Sequence, residues 1–387
     1  MILLDLPFVS DFLIKTIKDN NFEVVATQEA KKLVSDSSLH WISEEAAIQK
    51  IKQNSQSLVY SNSENSISWI EKNLSFSRLP KQLELFKDKI KFRELLKDLF
   101  PNFYFKSIAL EDIRNLNIEA IGFPFVIKPS IGFFSIGVHI IYNQKDWENA
   151  KKELNYENLQ SIYPASVLNA STFIIEQFIE GEEFAIDCYF DQQGTPVILG
   201  ILHHKFSSSN DVSDRMYSTS KRIILKYKNA LESFLKPIGE KAKLTNFPMH
   251  IEVRITAEGN ILPIEINPMR FGGWCTTADL NWYAYGINSY EYFFKGIKPN
   301  WNHILSRIEE KIYSIIILDN NSGINADKIK RFNFTLLKQD LEKVLEIREL
   351  NIKKDPVFGF VFTETRLEKE NELNKILTSN LKKYIVK

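Results

Sequence analysis

Two short runs near position 250 place side chains able to do chemistry along one side of a strand pair. In Met249-His250-Ile251-Glu252-Val253-Arg254-Ile255 the polar residues fall two apart. Residues two apart on a strand share a face, so His250, Glu252 and Arg254 line one side and the apolar residues the other. In the following run Glu265 and Asn267 share a face, opposite Ile264 and Ile266. A hairpin turning at Gly259 brings Glu252 beside Glu265 and Asn267. Such an oxygen-only set suits Mg²⁺, which takes few protein carboxylates and completes its octahedron with phosphate and water. Without a cation the two carboxylates would repel, and one would hold its proton more tightly. The competing reading is a solvated strand face; against it, both polar sets lead into Gly272-Gly273-Trp274.

Two earlier stretches offer partners for such a centre. Phe125-Val126-Ile127-Lys128-Pro129 ends an apolar strand on a lysine, and a loop with Gly132, Ser135 and Gly137 follows. Its backbone N–H groups could cradle phosphate oxygens while Lys128 adds a point charge; a plain hairpin with Lys128 facing outward is the alternative. It is not a Walker A loop, because no Gly-Lys-Ser/Thr follows the glycines. In the run from Phe173 to Asp187, Glu176, Phe178, Gly181 and Glu183 mark an acidic corner between two strands. That corner could give backbone groups to an adenine edge and a carboxylate to ribose hydroxyls, or be an exposed acidic turn.

The elements that must position these residues follow from apolar periodicity. Residues 2–6, 22–26 and 57–60 read as strands and 11–18 as a helix, a small parallel α/β unit over about 1–80. Pro80 opens a periodic helix running to about Leu99. Strands are expected at 123–129, 137–142, 172–178, 183–190, 196–206, 249–256 and 261–267, with helices at 146–154 and 223–243. Turns at 191–194 and 257–260 make much of this region antiparallel. Residues 207–217 read as a mobile surface loop. The last 80 or so residues, with strands at 315–318, 344–348 and 357–362, read as a small α+β appendage.

In this order the motifs resemble the ATP-grasp superfamily. Lys-Pro with its Gly/Ser loop comes first, then Glu180-Gly181-Glu182-Glu183-Phe184, then an acid, a glycine turn and Glu265-Ile266-Asn267, with the two acids thirteen positions apart. The resemblance implies an ATP-grasp fold, α/β and α+β, over 87–305, with a mobile lid at about 102–176, an N-terminal α/β domain at 1–86 and a C-terminal α+β domain at 306–387. It implies ATP with one or two Mg²⁺ (Mn²⁺ as a substitute) as cofactors. Lys89 and Lys128 would touch the phosphates, and the loop bearing Gly132, Ser135 and Gly137 would close over them. Glu176 and the backbone near Phe178 would hold adenine, with Glu183 on the ribose. Glu252, Glu265 and Asn267 would hold metal, and Arg270 would stabilise the oxyanion. A narrower similarity, carried by His250, Glu252, Arg254, Arg270 and Trp274, is to L-amino-acid (dipeptide) ligases. It implies that Trp274 lines an amino-acid pocket, packing in the core being the alternative, and that Arg254 pairs with a substrate carboxylate. Two departures stand out: Phe134 replaces a usual loop glycine, and Met269 adds a residue before Arg270.

The implied reaction activates a carboxylate as an acyl phosphate and couples it to an amine, with small-molecule acid and amine as partners. The rivals are an ATP-grasp enzyme with another acceptor, such as a carboxylase or nucleotide-biosynthesis ligase, and a non-catalytic ATP-binding protein. Composition excludes other classes. The 387 residues balance 49 basic against 49 acidic side chains, which leaves no global field to attract nucleic acid or an anionic membrane. No apolar run is long enough to span a bilayer. Cys188 and Cys275 are too few for a disulfide framework or a cysteine-based zinc site, and with no secretory signal apparent, a cytoplasmic setting is expected. His203 and His204 should face opposite ways, Arg215 should lie at the surface, Cys188 should be inert, and Cys275 lacks a partner histidine. The C-terminal segment could cover the site or form a homodimer interface.

Overall fold

A computed structural model describes residues 1–131, 137–154, 172–208, 211 and 213–387. The chain begins with four short parallel strands, β1 (Ile2–Leu3), β2 (Glu23–Val25), β3 (His40–Ile42) and β4 (Tyr60–Ser61), in the order β3-β2-β1-β4. Helices between them carry Ser or Thr caps, as at Ser10, Thr27 and Ser43, whose oxygens accept first-turn N–H groups. The single helix expected after Pro80 is two, Leu79–Lys87 and Lys89–Leu96. Asp88 breaks it by taking an extended backbone, and its carboxylate accepts the N–H groups of Ile90 and Lys91. A residue that caps this well competes with helix continuation.

A second, antiparallel sheet follows. It is built from β5 (Phe105–Ala109), β6 (Phe125–Pro129), β7 (His139–Ile141) and β8 (Thr172–Gln177), ordered β5-β8-β6-β7. It has a core of its own around Phe125, Ile127, Trp147 and Phe173. This is the sheet that carries Lys128 and Glu176.

The third and largest sheet has eight strands. Its chain order is β9 (Glu182–Phe190), β10 (Pro196–Lys205), β11 (Met216–Thr219), β12 (Phe247–Ile255), β13 (Ile261–Pro268) and β14 (Lys311–Asp319). After β15 (Arg331–Phe332) come β16 (Val344–Glu349) and β17 (Val357–Arg366), while β18 (Ile385–Val386) pairs with β15. The spatial order is β13-β12-β9-β10-β11-β14-β17-β16, so three C-terminal strands extend the central sheet. Strand β11 includes Met216 and Tyr217, expected in a loop; Met216 is fully buried. No helix among the described residues is long and apolar enough to cross a membrane.

The Lys221–Ala242 helix packs on the central sheet, with Leu231, Leu235 and Ile238 buried. At Gly239 a Cβ would lie 2.1 Å from the Phe190 ring. Gly239→Ala should therefore overpack this contact and destabilise the fold by about 1–3 kcal/mol. Gly273→Ala, where nothing lies within 4 Å, should have little effect; thermal melts of both variants check this.

Candidate active site

The antiparallel register of β12 and β13 sets Glu252 directly opposite Glu265 and His250 opposite Asn267. Asn267 also donates its Nδ2–H to Glu265 Oε1 at 3.4 Å. Three oxygen-bearing side chains thus meet on one face. A bulge follows Glu252, so that Val253 pairs with Pro263. The extra residue corrects one expectation: Ile264 lines the same cleft as Glu265 and not the opposite face. A bulge breaks strict alternation and allows two neighbours to point the same way.

Cations converge on this face from two other parts of the chain. Lys89, at the start of its helix, places Nζ 3.3 Å from Glu265 Oε2. Lys128 in β6 reaches Glu176 Oε1 at 2.5 Å. Lys89, Lys128, Glu252 and Glu265 line one cleft together with Phe178, Ile179 and Glu183. Burial favours the protonated form of both acids, yet their neighbours separate them. At Glu252, burial and Glu265 together raise the proton affinity. At Glu265 the charges of Lys89 and Lys128 outweigh burial and lower it. Among the described residues no three His, Cys, Asp or Glu side chains form a closed cation cage. Two carboxylates and an amide on an open cleft instead fit a Mg²⁺ whose other ligands are phosphate and water.

Several of the expected site residues are also tied to partners far away in the chain. Both Glu176 oxygens are engaged, one by Lys128 and the other by Arg93 Nε at 2.8 Å. Burial alone would raise this acid, but the two cations hold it at about 2. Glu176 thereby pairs two cations while also lining the cleft. Glu183 is likewise taken up, by His204 Nδ1 at 2.8 Å and Arg254 Nε at 3.0 Å. Arg254 lies opposite Glu183 in the β12–β9 register and donates to the Ile179 carbonyl at 2.7 Å. It therefore braces the corner after β8 while still lining the cleft. Phe178 at that corner meets Tyr142, just after β7, at 5.8 Å between ring centroids.

His250 hydrogen-bonds through Nδ1 to Asp187 Oδ1 at 2.7 Å, and its Nε2 lies 3.7 Å from Glu252. Asp187, fully buried, also accepts the Gly272 N–H and the Thr277 hydroxyl. It thereby ties His250 to the loop before the Thr276–Tyr285 helix. Met269 absorbs its extra residue with a left-handed backbone, φ 63°, and its carbonyl accepts the Ser61 N–H from the N-terminal sheet. The following Arg270 is held by Glu64 at 2.5 Å. Trp274 is buried between Phe8, at 6.2 Å, and Phe360, at 5.3 Å.

Gly137 takes a left-handed φ of 71° just before β7, while Gly132, Phe134 and Ser135 lie outside the described residues. His203 and His204 do face opposite ways, His203 stacking on Phe184 and His204 on Tyr217. Arg215, expected at the surface, is buried and pairs with Asp319. Its carbonyl acceptors at Ile376 and Ser379 explain how burial is tolerated. Burial pushes the Cys188 thiol well up and Cys275 up to about 11, so neither is a ready nucleophile.

Residues 121–278 match the model of the ATP-grasp domain family. The chain carries an ATP-grasp domain. An alanine–anticapsin ligase from Bacillus subtilis is 29% identical over 197 residues, covering 46% of this chain and 41% of that protein. The chain thus spans less than half of that relative's length. The whole fold resembles that of an L-amino acid ligase from Bacillus licheniformis, with TM-score 0.65, 17% identity and coverage of 99% and 97%. A biotin carboxylase from Campylobacter jejuni is similar at TM-score 0.64, 13% identity and coverage of 100% and 91%. Sequence reasoning passed over Arg93, Asp187 and Glu64 in and around the ATP-grasp domain. Two of them carried a signal: Arg93 stands four residues after Lys89 on a helix, hence on its face, and Asp187 shares the strand face of Glu183.

Asp187 and Glu252 outweigh the effect of burial and raise His250 from 6.5 to about 9. A group raised by folding stabilises most below its unfolded value and loses that stabilisation as pH climbs through its folded one. Wild type should therefore lose on the order of a few kcal/mol between pH 6.5 and about 9. His250→Gln should flatten that interval in unfolding midpoints measured against pH.

Proposed function

We propose that this chain is an ATP- and Mg²⁺-dependent ligase that joins a small carboxylic acid, of the amino-acid type, to an amine, releasing ADP and phosphate. The observation that carries this reading is Glu252 facing Glu265 across β12 and β13, with Lys89 and Lys128 on the same cleft. The likeness to an alanine–anticapsin ligase supports an amino acid as one reactant.

Bound by Glu252, Glu265 and Asn267, Mg²⁺ would neutralise charge on the triphosphate. The chain's own side chains supply the rest. Lys89 and Lys128 place positive charge beside the phosphates, one held by Glu265 and the other by Glu176. A substrate carboxylate oxygen attacks the terminal phosphorus, the bond to ADP breaks, and an acyl phosphate forms. The amine then attacks the acyl carbon, and phosphate leaves. Arg270, oriented by Glu64, would offer its guanidinium to the oxyanion of that second step. His250, charged beside Asp187 and Glu252, would hold Glu252 in place. The Ile179 corner, braced by Arg254, would present backbone groups to the base.

A carboxylase reading is the second choice, favoured by the comparable fold similarity to a biotin carboxylase. Phosphate release across paired acids and amines separates the two. Dependence on both an amino acid and an amine is expected; dependence on bicarbonate alone would select the carboxylase. Glu265→Ala should lower ADP formation at least a hundredfold in a chain that still melts cooperatively, and full activity in that variant would refute the metal assignment.

A further inference from the structure

The Lys89–Leu96 helix carries two cations one turn apart, and each has a different carboxylate. Lys89 meets Glu265 of the central sheet. Arg93 reaches two sheets at once: Nε donates to Glu176 of β8 at 2.8 Å and one terminal nitrogen donates to the Pro263 carbonyl of β13 at 2.6 Å. The Phe103 ring lies 4.3 Å from the guanidinium centre. Arg93, Glu176 and Lys128 are all buried, so little solvent screens the charges among them.

Glu176 alone beside Lys128 would cancel it, leaving a neutral pair where a polyphosphate must bind. With Arg93 on the second oxygen, one carboxylate is shared by two cations and the group keeps a net positive charge. Arg93 does not line the cleft, whereas Lys128 does. We propose that Arg93 is a positioning residue for nucleotide binding: by taking its share of Glu176, it leaves the Lys128 ammonium aimed and uncancelled toward the phosphates. The bond to Pro263 also fixes where the second sheet meets the central one. This inference rests on the cleft being a nucleotide site, and it does not depend on the acceptor.

The test measures the dissociation constant of Mg·ADP and Mg·ATP by calorimetry on the full chain. Arg93→Gln ends where the arginine Nε stands, so it keeps a donor toward Glu176 but loses the charge and the bond to Pro263; it should weaken binding at least tenfold. Arg93→Lys keeps the charge and loses the fork, and should retain most of the affinity. The double variant Arg93→Gln with Glu176→Gln removes the carboxylate that cancels Lys128, so it should recover to within about threefold of wild type, a non-additivity expected of coupled residues. Equal binding by wild type and Arg93→Gln would overturn the proposal. So would a double variant no tighter than Arg93→Gln, or Arg93→Lys as weak as Arg93→Gln, since either result would mark Arg93 as a purely structural pin. Wild type that binds neither nucleotide would overturn the nucleotide reading itself.

Discussion

Everything in the cleft follows from the need to hold two carboxylates opposite each other on adjacent strands, where neither is fully solvated. Antiparallel pairing of β12 with β13 fixes Glu252 against Glu265. Like charges so placed are unfavourable unless cations answer them. The chain answers asymmetrically: Lys89 serves Glu265, while His250 stands behind Glu252. The two acids consequently differ in proton affinity although they are neighbours. Glu265's is lowered by its lysines and Glu252's is raised by burial and by Glu265.

The same constraint explains why distant segments are drawn together. Lys89 and Arg93 sit on a helix that exists as a separate element only because Asp88 caps it. Lys128 and Glu176 come from a second sheet with its own core. Glu64, which holds Arg270, comes from the segment after the N-terminal sheet. Each pairing removes a charge from isolation. Buried ion pairs contribute little net stability, but an unpaired member would cost several kcal/mol. The network is therefore better understood as fixing orientation than as holding the fold together.

The loop from Met269 to Thr277 shows how a departure from a motif is accommodated. Met269, Trp274 and Cys275 all take left-handed backbones, unfavourable for residues with a side chain. Asp187 compensates by gripping the Gly272 N–H and the Thr277 hydroxyl, and Arg348 by donating to the Trp274 carbonyl at 3.0 Å. Arg348 lies on β16, so the C-terminal strands support the loop after the metal-type face. Their incorporation into the central sheet gives the segment a place that local periodicity could not assign.

What the sequence determined by itself was whatever depends on local period and local spacing. Alternation in 249–255 and 261–267 put the right side chains on one face, and the glycine turn at Gly259 made the pair a hairpin. The parallel start, the antiparallel middle and the order of the motifs were legible for the same reason. Tertiary structure decided which charges meet. Glu176 and Glu183 read as ligand-facing acids because nothing local shows that Arg93 and Arg254, 83 and 71 positions away, occupy them. Ile264 entered the cleft through a bulge, and Arg215 went inside because Asp319 and two carbonyls receive it. Coulomb interactions depend on distance in space, and only the folded chain sets that distance.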